Sequence, residues 1–531
     1  MNPRAMLLPQ LIRYRAEESG DRVFLRRVEG GEMSYCDYHV QALEWAWAFE
    51  RVGVAAQDRV ACMLPNGFDI PLAWLGCAWL KAQLAVINPA YRGRMLEDVL
   101  TTIGARIFVI SRHYLDQLDG IDLTRTGIGM LIVVDEDAPQ VAGIEAIGRA
   151  AFLAGATPQP REGPEPHDVA CIIFTSGTTG PSKAVMVHWG QLNATSTDRT
   201  GLEMGPDDVW YSPLPMFHLT GFGPIYKMAM VGGSVVIRQL LSLKDYFTDI
   251  EAFGATGAVL MESMILMLMR QSETDFVKPP LLRQVITVPV PAHIDAFREK
   301  FGVAVATMYN MTELGTPLAS DGYDVDASYT GSCGRLREDL YEARIVDPLD
   351  YPVEDGAVGE LILRPKKPWT ITTAYFNNPA GTAEAWRNGW FHTGDAFRRD
   401  AEGRYFFVDR LKDAIRRRGE NISSAEVERD VAAHPCVQEV AAVPQKSDDG
   451  QEEVKVFIVL KEGETFDPAA MVDFLVPRMP HFMVPRYFEA VETLPRTPSQ
   501  KIQKHLLRAM GNSAATWDRE AAGIILRAKR Y

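Results

Sequence analysis

Short apolar runs separated by amphipathic stretches set the pattern of the first two thirds of the chain. Runs at Arg59–Leu64, Ala85–Ile87, Arg106–Ile110, Met130–Val134 and Val169–Phe174 predict buried strands. Tyr38–Val52 and Phe68–Lys81 read as helices between them. Ser34 and Asp37 form a capping-box pattern ahead of the first helix, and Gly53 is its stop signal. Strands alternating with helices favour parallel sheets covered by helices. The alternation resumes after a Pro- and acid-rich linker, Arg161–Asp168, and runs to about residue 345. Gly356–Pro365 and Arg404–Asp409 predict strands of a smaller β-rich region. Beyond Arg410 the texture changes. A helix at Ser424–Ala433, strands at Val437–Val443 and Glu453–Leu460, and a helix at Pro468–Met479 predict a compact α+β unit.

Length and charge narrow the function. At 531 residues the chain calls for at least two domains. It carries 55 basic and 69 acidic residues, a net charge of −14, which argues against a general binder of nucleic acid or anionic membrane. A local basic pocket for a phosphorylated ligand is compatible with that balance. The six cysteines include no CxxC pair, so neither a zinc site nor a disulfide framework is expected, and a reducing cytosol fits. Met1–Gln10 has no long apolar core of a secretory signal, and the longest charge-free apolar stretch, Ile70–Leu80, is too short to span a bilayer. We therefore expect a cytoplasmic protein without a membrane span or nucleic-acid partner. A homodimer is left open.

Candidate chemistry begins directly after the strand ending at Phe174. Thr175-Ser176-Gly177-Thr178-Thr179-Gly180-Pro181-Ser182-Lys183 combines glycines, hydroxyls and a lysine. Glycines let backbone N–H groups approach an anion, and the side chains add donors. The spacing around Lys183 is not that of a Walker A loop. Tyr309-Asn310-Met311-Thr312-Glu313 follows a strand-like Val303–Ala306. There a tyrosine could stack on a base, a threonine donate to phosphate and a glutamate hold Mg²⁺. A helix cap is the structural alternative for Thr312-Glu313. His392-Thr393-Gly394-Asp395 offers a carboxylate for ribose hydroxyls, or an Asx-type turn. Asp409-Arg410-Leu411-Lys412-Asp413 and Arg496-Thr497-Pro498-Ser499-Gln500-Lys501 complete the set, and each alone reads as a solvated loop.

Taken in order, and joined by Tyr211–His218 and Tyr375–Pro379 with Thr382, these motifs resemble the adenylate-forming superfamily of acyl-CoA synthetases, luciferases and amino-acid adenylation domains. The resemblance covers about residues 10 to 510 and is nearest to the crotonobetaine/carnitine-CoA-ligase-like branch. It implies a large N-terminal domain, residues 1–411, of helix-covered sheets plus a small β-rich subdomain, and a small mobile α+β domain, residues 412–531. It implies an ATP-dependent acid–CoA ligase working through acyl-AMP on an apolar or bulky carboxylic acid, with ATP, Mg²⁺ and CoA. By motif position, Thr175, Ser176, Gly177, Thr178, Thr179, Gly180 and Lys183 would wrap the β/γ-phosphates. Tyr309 and Asn310 would lie by the adenine, Thr312 at the α-phosphate and Glu313 on Mg²⁺. Asp395 and Arg410 would hold the ribose, and His218 would gate the acyl pocket. Lys412 matches the hinge, Gly419-Glu420-Asn421 the pantetheine tunnel and Lys501 the catalytic lysine. Arg416, Arg417 and Arg418 would either meet CoA phosphates or form a solvated basic face.

Four positions depart from the family pattern. Asn310, Arg418 and Gln500 stand at usual glycines, and Thr287–Pro291 replaces a Gly-Ala-Pro segment. Asn310 is expected to keep the turn by tolerating left-handed backbone, while its side chain intrudes on the site. The acyl pocket is expected to draw on Phe217–Tyr226, Val259–Met269 and the loops around Tyr309 and Gly315. Met261, Met264, Met267 and Met269 read first as a buried core helix and second as a pocket lining. Two alternatives stand: an adenylating enzyme that delivers to a carrier protein or an amine, and a non-catalytic nucleotide-binding protein.

Overall fold

The computed structural model describes residues 2–526 apart from 136–140, 142, 176–181, 198–203, 270–279, 289, 292, 324, 411–414, 418, 419, 423, 448, 449, 496–501 and 503. The first five predicted strands fall within a few residues of their expected bounds and, joined by two strands that the apolar pattern does not predict, Glu145–Gly148 and Lys183–His188, assemble into a seven-stranded sheet. Its order is Glu145–Gly148, Met130–Val133, Ile107–Ile110, Arg59–Met63, Gln83–Val86, Val169–Thr175 and Lys183–His188. All neighbours are parallel except the last pair, an antiparallel hairpin in which Thr175 faces Lys183. Strands such as Ile107–Ile110 and Met130–Val133 are buried at every residue, which is why their sequences are apolar runs rather than alternations.

A second sheet has fourteen strands. Its parallel half runs through Val23–Arg27, Ser234–Ile237, Val209–Ser212, Gly257–Met261 and Gln284–Val288 to Ala304–Met311. The last of these is eight residues long, twice the expected Val303–Ala306. Its first half pairs in parallel with Gln284–Val288, and its second half pairs antiparallel with Gly315–Ala319. The β-rich region is therefore a continuation of the parallel sheet, not a sheet of its own. Thr312-Glu313 lies in the tight turn of that hairpin, and no helix follows it.

The helix Asp69–Trp79 is buried at every position from Ile70 to Trp79. A helix apolar on all sides belongs inside the molecule. Trp74 donates Nε1 to the Ala170 carbonyl at 3.0 Å, stacks on Trp189 at 5.2 Å and meets Phe222 at 4.5 Å. Tyr35–Arg51 packs beside it, entered through the expected capping box of Ser34 and Asp37. In the methionine-dense helix Glu262–Met269, Met264 is a core residue and Met269 packs partly buried against the same cluster, as the core reading has it; the side chains of Met261 and Met267 lie outside the described residues.

The C-terminal α+β domain holds the sheet Val437–Lys446, Glu452–Leu460, Tyr487–Ala490 and Trp517–Asp518, with helices Ser424–Ala432 and Pro468–Leu475. A two-stranded hairpin, Ile415–Arg417 with Glu420–Ile422, stands at its front. Ile415, Ile422 and Val427 share a hydrophobic cluster with the first sheet. Among the described residues no helix is long and apolar enough to cross a membrane.

Candidate active site

The site grows from two hairpins, one at the edge of the first sheet and one inside the second, where its parallel half gives way to the antiparallel half. The first brings Lys183 opposite Thr175, whose Oγ1 donates to the Lys183 carbonyl at 3.5 Å. The Lys183 ammonium sits 4.5 Å from the Tyr375 ring centroid. Tyr375 in turn donates its hydroxyl to Glu313 Oε1 at 3.0 Å, and the Glu313 carbonyl accepts from the Thr372 amide at 2.7 Å. Glu313 is only 4 % exposed, so these contacts fix its carboxylate rather than leave it to solvent. The neighbouring Thr312 is held through its carbonyl, which accepts from Gln191 Nε2 at 2.7 Å.

In the strand that enters the turn, Tyr309 donates its hydroxyl to Asp395 Oδ2 at 2.7 Å, with both residues buried. The Tyr309 ring meets Phe397 edge to face at 5.1 Å. Asp395 faces Arg410 across the antiparallel pair Trp390–Arg399 and Arg404–Arg410, and its amide donates to Thr393 Oγ1 at 3.0 Å. Two sets of contacts thus meet at one hairpin: Lys183, Tyr375 and Glu313 at its turn, and Tyr309 with Asp395 in the strand that enters it.

His218 stands at the N-cap position of the helix Leu219–Val231 without a side-chain cap bond, and its ring is tilted against Phe217 at 4.5 Å. Its Nε2 lies 3.7 Å from Glu420 Oε2, so the C-terminal hairpin reaches the start of this helix. The small domain also touches the end of the Gly/Ser/Thr motif. Ser182 donates to Glu426 Oε1 at 2.8 Å, and Arg429 lies 3.6 Å from Asp98. Burial pushes the Glu426 carboxyl above its ordinary range, partly offset by the Ser182 hydrogen bond and by Arg429.

Expectations for individual residues divide. Thr175 and Lys183, Thr312 and Glu313, Tyr309 and Asp395, and His218 and Glu420 take the contacts described. Ser176, Gly177, Thr178, Thr179, Gly180, Lys412, Gly419 and Lys501 lie outside the described residues, as does the side chain of Arg410. Asn310 departs from expectation. It has no positive φ, because it continues the strand at a bulge, and its Nδ2 donates to Thr316 Oγ1 at 2.9 Å, its neighbour within the hairpin. Arg417 also departs. It is 5 % exposed inside the C-terminal domain, 2.5 Å from Glu453, and donates to the Phe482 carbonyl at 2.8 Å. Burial and a carboxylate partner make it a core residue rather than a CoA contact. Tyr375, Gln191 and Glu426 carry contacts that the motifs alone did not reveal. Tyr375 stood inside a matching motif without a role, and that was the available signal.

The donor set fits Mg²⁺ as a phosphate-bound ion. Mg²⁺ keeps several waters and takes one or two carboxylates plus phosphates, and Glu313 supplies one anchored carboxylate. Among the described residues no group of three or more His, Cys, Asp or Glu could enclose a metal by itself.

Comparison with known proteins agrees with this geometry. The AMP-binding enzyme profile matches residues 12–376, and the AMP-binding enzyme C-terminal domain profile matches 426–501. A crotonobetaine/carnitine–CoA ligase of Salmonella paratyphi A is 30% identical over 506 residues, covering 93% of this chain and 97% of that protein. The o-succinylbenzoate CoA synthetase of Bacillus subtilis superposes with a TM-score of 0.82 at 21% identity, over 95% of this chain and 99% of that one. An amide bond synthetase of Marinactinospora thermotolerans superposes with a TM-score of 0.82 at 23% identity, over the same shares, 95% and 99%. With its profile match spanning more than half the sequence and a curated relative aligned over nearly all of it, the chain belongs to the AMP-binding enzyme family.

Proposed function

We propose that the protein is a carboxylic acid–CoA ligase that couples ATP cleavage to thioester formation. Acid and ATP give acyl-AMP and pyrophosphate, and CoA then displaces AMP. The observation that carries this reading is the hairpin of Ala304–Met311 and Gly315–Ala319, which places Glu313, bonded to the Tyr375 whose ring lies beside Lys183, four residues from Tyr309, bonded to Asp395. It joins a cation, an anchored carboxylate, an aromatic ring and a second carboxylate, as a magnesium nucleotide requires.

The physical obstacle in the first step is the approach of one anion to a polyanion. Lys183 and the backbone of 175–183 neutralise the outer phosphates, and Lys501 bridges the attacking carboxylate and the α-phosphorus. Bound Mg²⁺, held by Glu313, supplies charge neutralisation at the phosphate oxygens. Tyr375 holds that carboxylate in place, and Asp395 with Arg410 fixes the ribose. In the second step His218 and Glu420 line the path of the incoming thiol. The contact between them supports a thiol acceptor, because it brings the C-terminal hairpin to the gate. Residues 1–411 form the nucleotide-binding domain and 412–531 the domain that carries Lys501, with Lys412 as hinge. The acid is apolar or bulky, and the names of the curated relatives put betaine-type acids in the first panel.

Mass spectrometry of the protein with ATP, Mg²⁺ and a panel of acids, with and without CoA, tests the reading. A CoA-dependent acyl-CoA product with AMP is expected. Acyl-AMP that accumulates equally without CoA would refute the acceptor, and an amide formed with added amines would name another. Lys501→Ala is expected to abolish acyl-AMP formation while sparing thioester formation from supplied acyl-AMP. Equal loss of both half-reactions would overturn its role.

A further inference from the structure

A cavity of about 200 Å³ lies away from the nucleotide site, where the strand Val23–Arg27, the start of the buried helix Asp69–Trp79 and Arg149 meet. Arg27, Arg149, Asp69, Gln41 and Gln239 supply its charged and amide groups, and Asn66 forms part of its wall.

The two arginines differ in their partners. Arg149 is satisfied: it pairs with Asp69, donates Nε to the Val134 carbonyl at 2.9 Å and lies 5.7 Å from the Trp45 ring. Arg27 is held against the Phe68 ring at 5.7 Å, and its Nε is buried without a hydrogen-bond partner. The nearby carboxylates are committed elsewhere. Glu32 lies 3.6 Å from Arg26, and Glu29 accepts from the Gln239 amide at 2.9 Å. Among the described residues the side chains of Gln41 and Gln239 likewise have no hydrogen bond.

The cavity therefore presents one guanidinium with no carboxylate partner among the described residues, flanked by two carboxamides. A half-buried guanidinium is stabilised most by an oxyanion that its fork can grip. The volume falls below the roughly 300–1,000 Å³ typical of larger ligands. We propose that this cavity is a second binding site, for a small carboxylate or phosphate, with Arg27 as the charge partner and Gln41 and Gln239 as amide donors. The site is tied to the gate. Asn66 donates Nδ2 to the Leu214 and Arg238 carbonyls at 3.0 and 3.1 Å, and its Oδ1 accepts from the Met216 amide at 2.9 Å. That clamp holds the segment running into His218.

The test is calorimetric titration with inorganic phosphate and, separately, with acetate, on the full chain saturated with α,β-methylene ATP. The analogue fills the nucleotide site, so that site cannot report. One anion site is expected, weakened at least about tenfold in Arg27→Gln, as loss of a charge-assisted bond requires. Affinity for the analogue should stay within about twofold, since Arg27 touches none of the nucleotide-site residues. Gln239→Ala is the second variant and should weaken the anion to a smaller degree. Whichever anion binds in this way supports the site and names its source, a phosphoryl or a carboxylate ligand. Failure of both to bind, or an affinity unchanged in an Arg27→Gln protein with wild-type circular dichroism, overturns it.

Discussion

Replacing Arg417 by Met separates a structural arginine from a CoA-binding one. Arg417 and Glu453 are 5 % and 1 % exposed, and their nearest atoms are 2.5 Å apart, an ion pair by distance rather than an aligned hydrogen bond. The pair belongs to a cluster. Glu520 lies 3.8 Å from Arg417, 3.3 Å from Arg486 and 3.4 Å from Arg519, and Asp518 lies 3.0 Å from Arg486. Removing one partner of a buried pair costs about 3–5 kcal/mol, because the other charge stays buried. Arg519 moderates the loss. Burial first, and Arg417 second, push its guanidinium down, so removing Arg417 relieves a like-charge contact. The lower end, about 3 kcal/mol, is therefore expected, or roughly 10²-fold in an opening equilibrium. Hydrogen exchange of the strands Val437–Lys446 and Glu452–Leu460 reads this directly, as their amides exchange through opening of the domain. Exchange should accelerate by that factor, and Glu453→Met added to Arg417→Met should restore most of the protection. At temperatures where the variant is folded, the KM for CoA should be unchanged. Unaltered exchange together with a raised KM for CoA would refute the structural assignment.

Two further outcomes follow from the site. Tyr375→Phe keeps the ring beside Lys183 but removes the 3.0 Å bond to Glu313, a loss of about 1.5–3 kcal/mol for a bond to a charged group. Pyrophosphate exchange should fall roughly 10- to 100-fold, mainly through the KM for magnesium-ATP, and an unchanged rate would contradict the anchoring role. Glu426 has a carboxyl raised by burial when the small domain is docked, so docking favours its protonated form. Docking is then strongest below the ordinary value of 4.5 and weakens as pH rises through the raised value. Ser182, Arg429, Asp430 and Tyr91 face the same carboxyl, and the first two limit the effect. Small-angle scattering should show the chain opening as pH is raised from below 4.5 through the raised Glu426 value, and Glu426→Gln should flatten that response. A response identical in both proteins would exclude Glu426 as its source.

Much of this protein was legible before any coordinates. Apolar runs such as Ile107–Ile110 announce doubly covered strands, because burial on both faces leaves no place for polar residues. The capping box of Ser34 and Asp37 is local chemistry, and it appears in place. Motif order was enough to point to the family, since glycines, hydroxyls and charges at those spacings answer the demands of a bound nucleotide. Other features were settled only by tertiary structure. Asn310 took part in the hairpin because Thr316 is its cross-turn neighbour, a relation set by pairing register and not by residue type. Arg417, Arg416 and Arg418 look alike in sequence, and only the fold turns Arg417 inward to Glu453, thirty-six positions away. Tyr375 gained a role because a distant loop delivers its hydroxyl to Glu313. Local propensity and burial are written in neighbouring residues, whereas ion pairs and hydrogen bonds between remote side chains exist only once the sheets have set their distances.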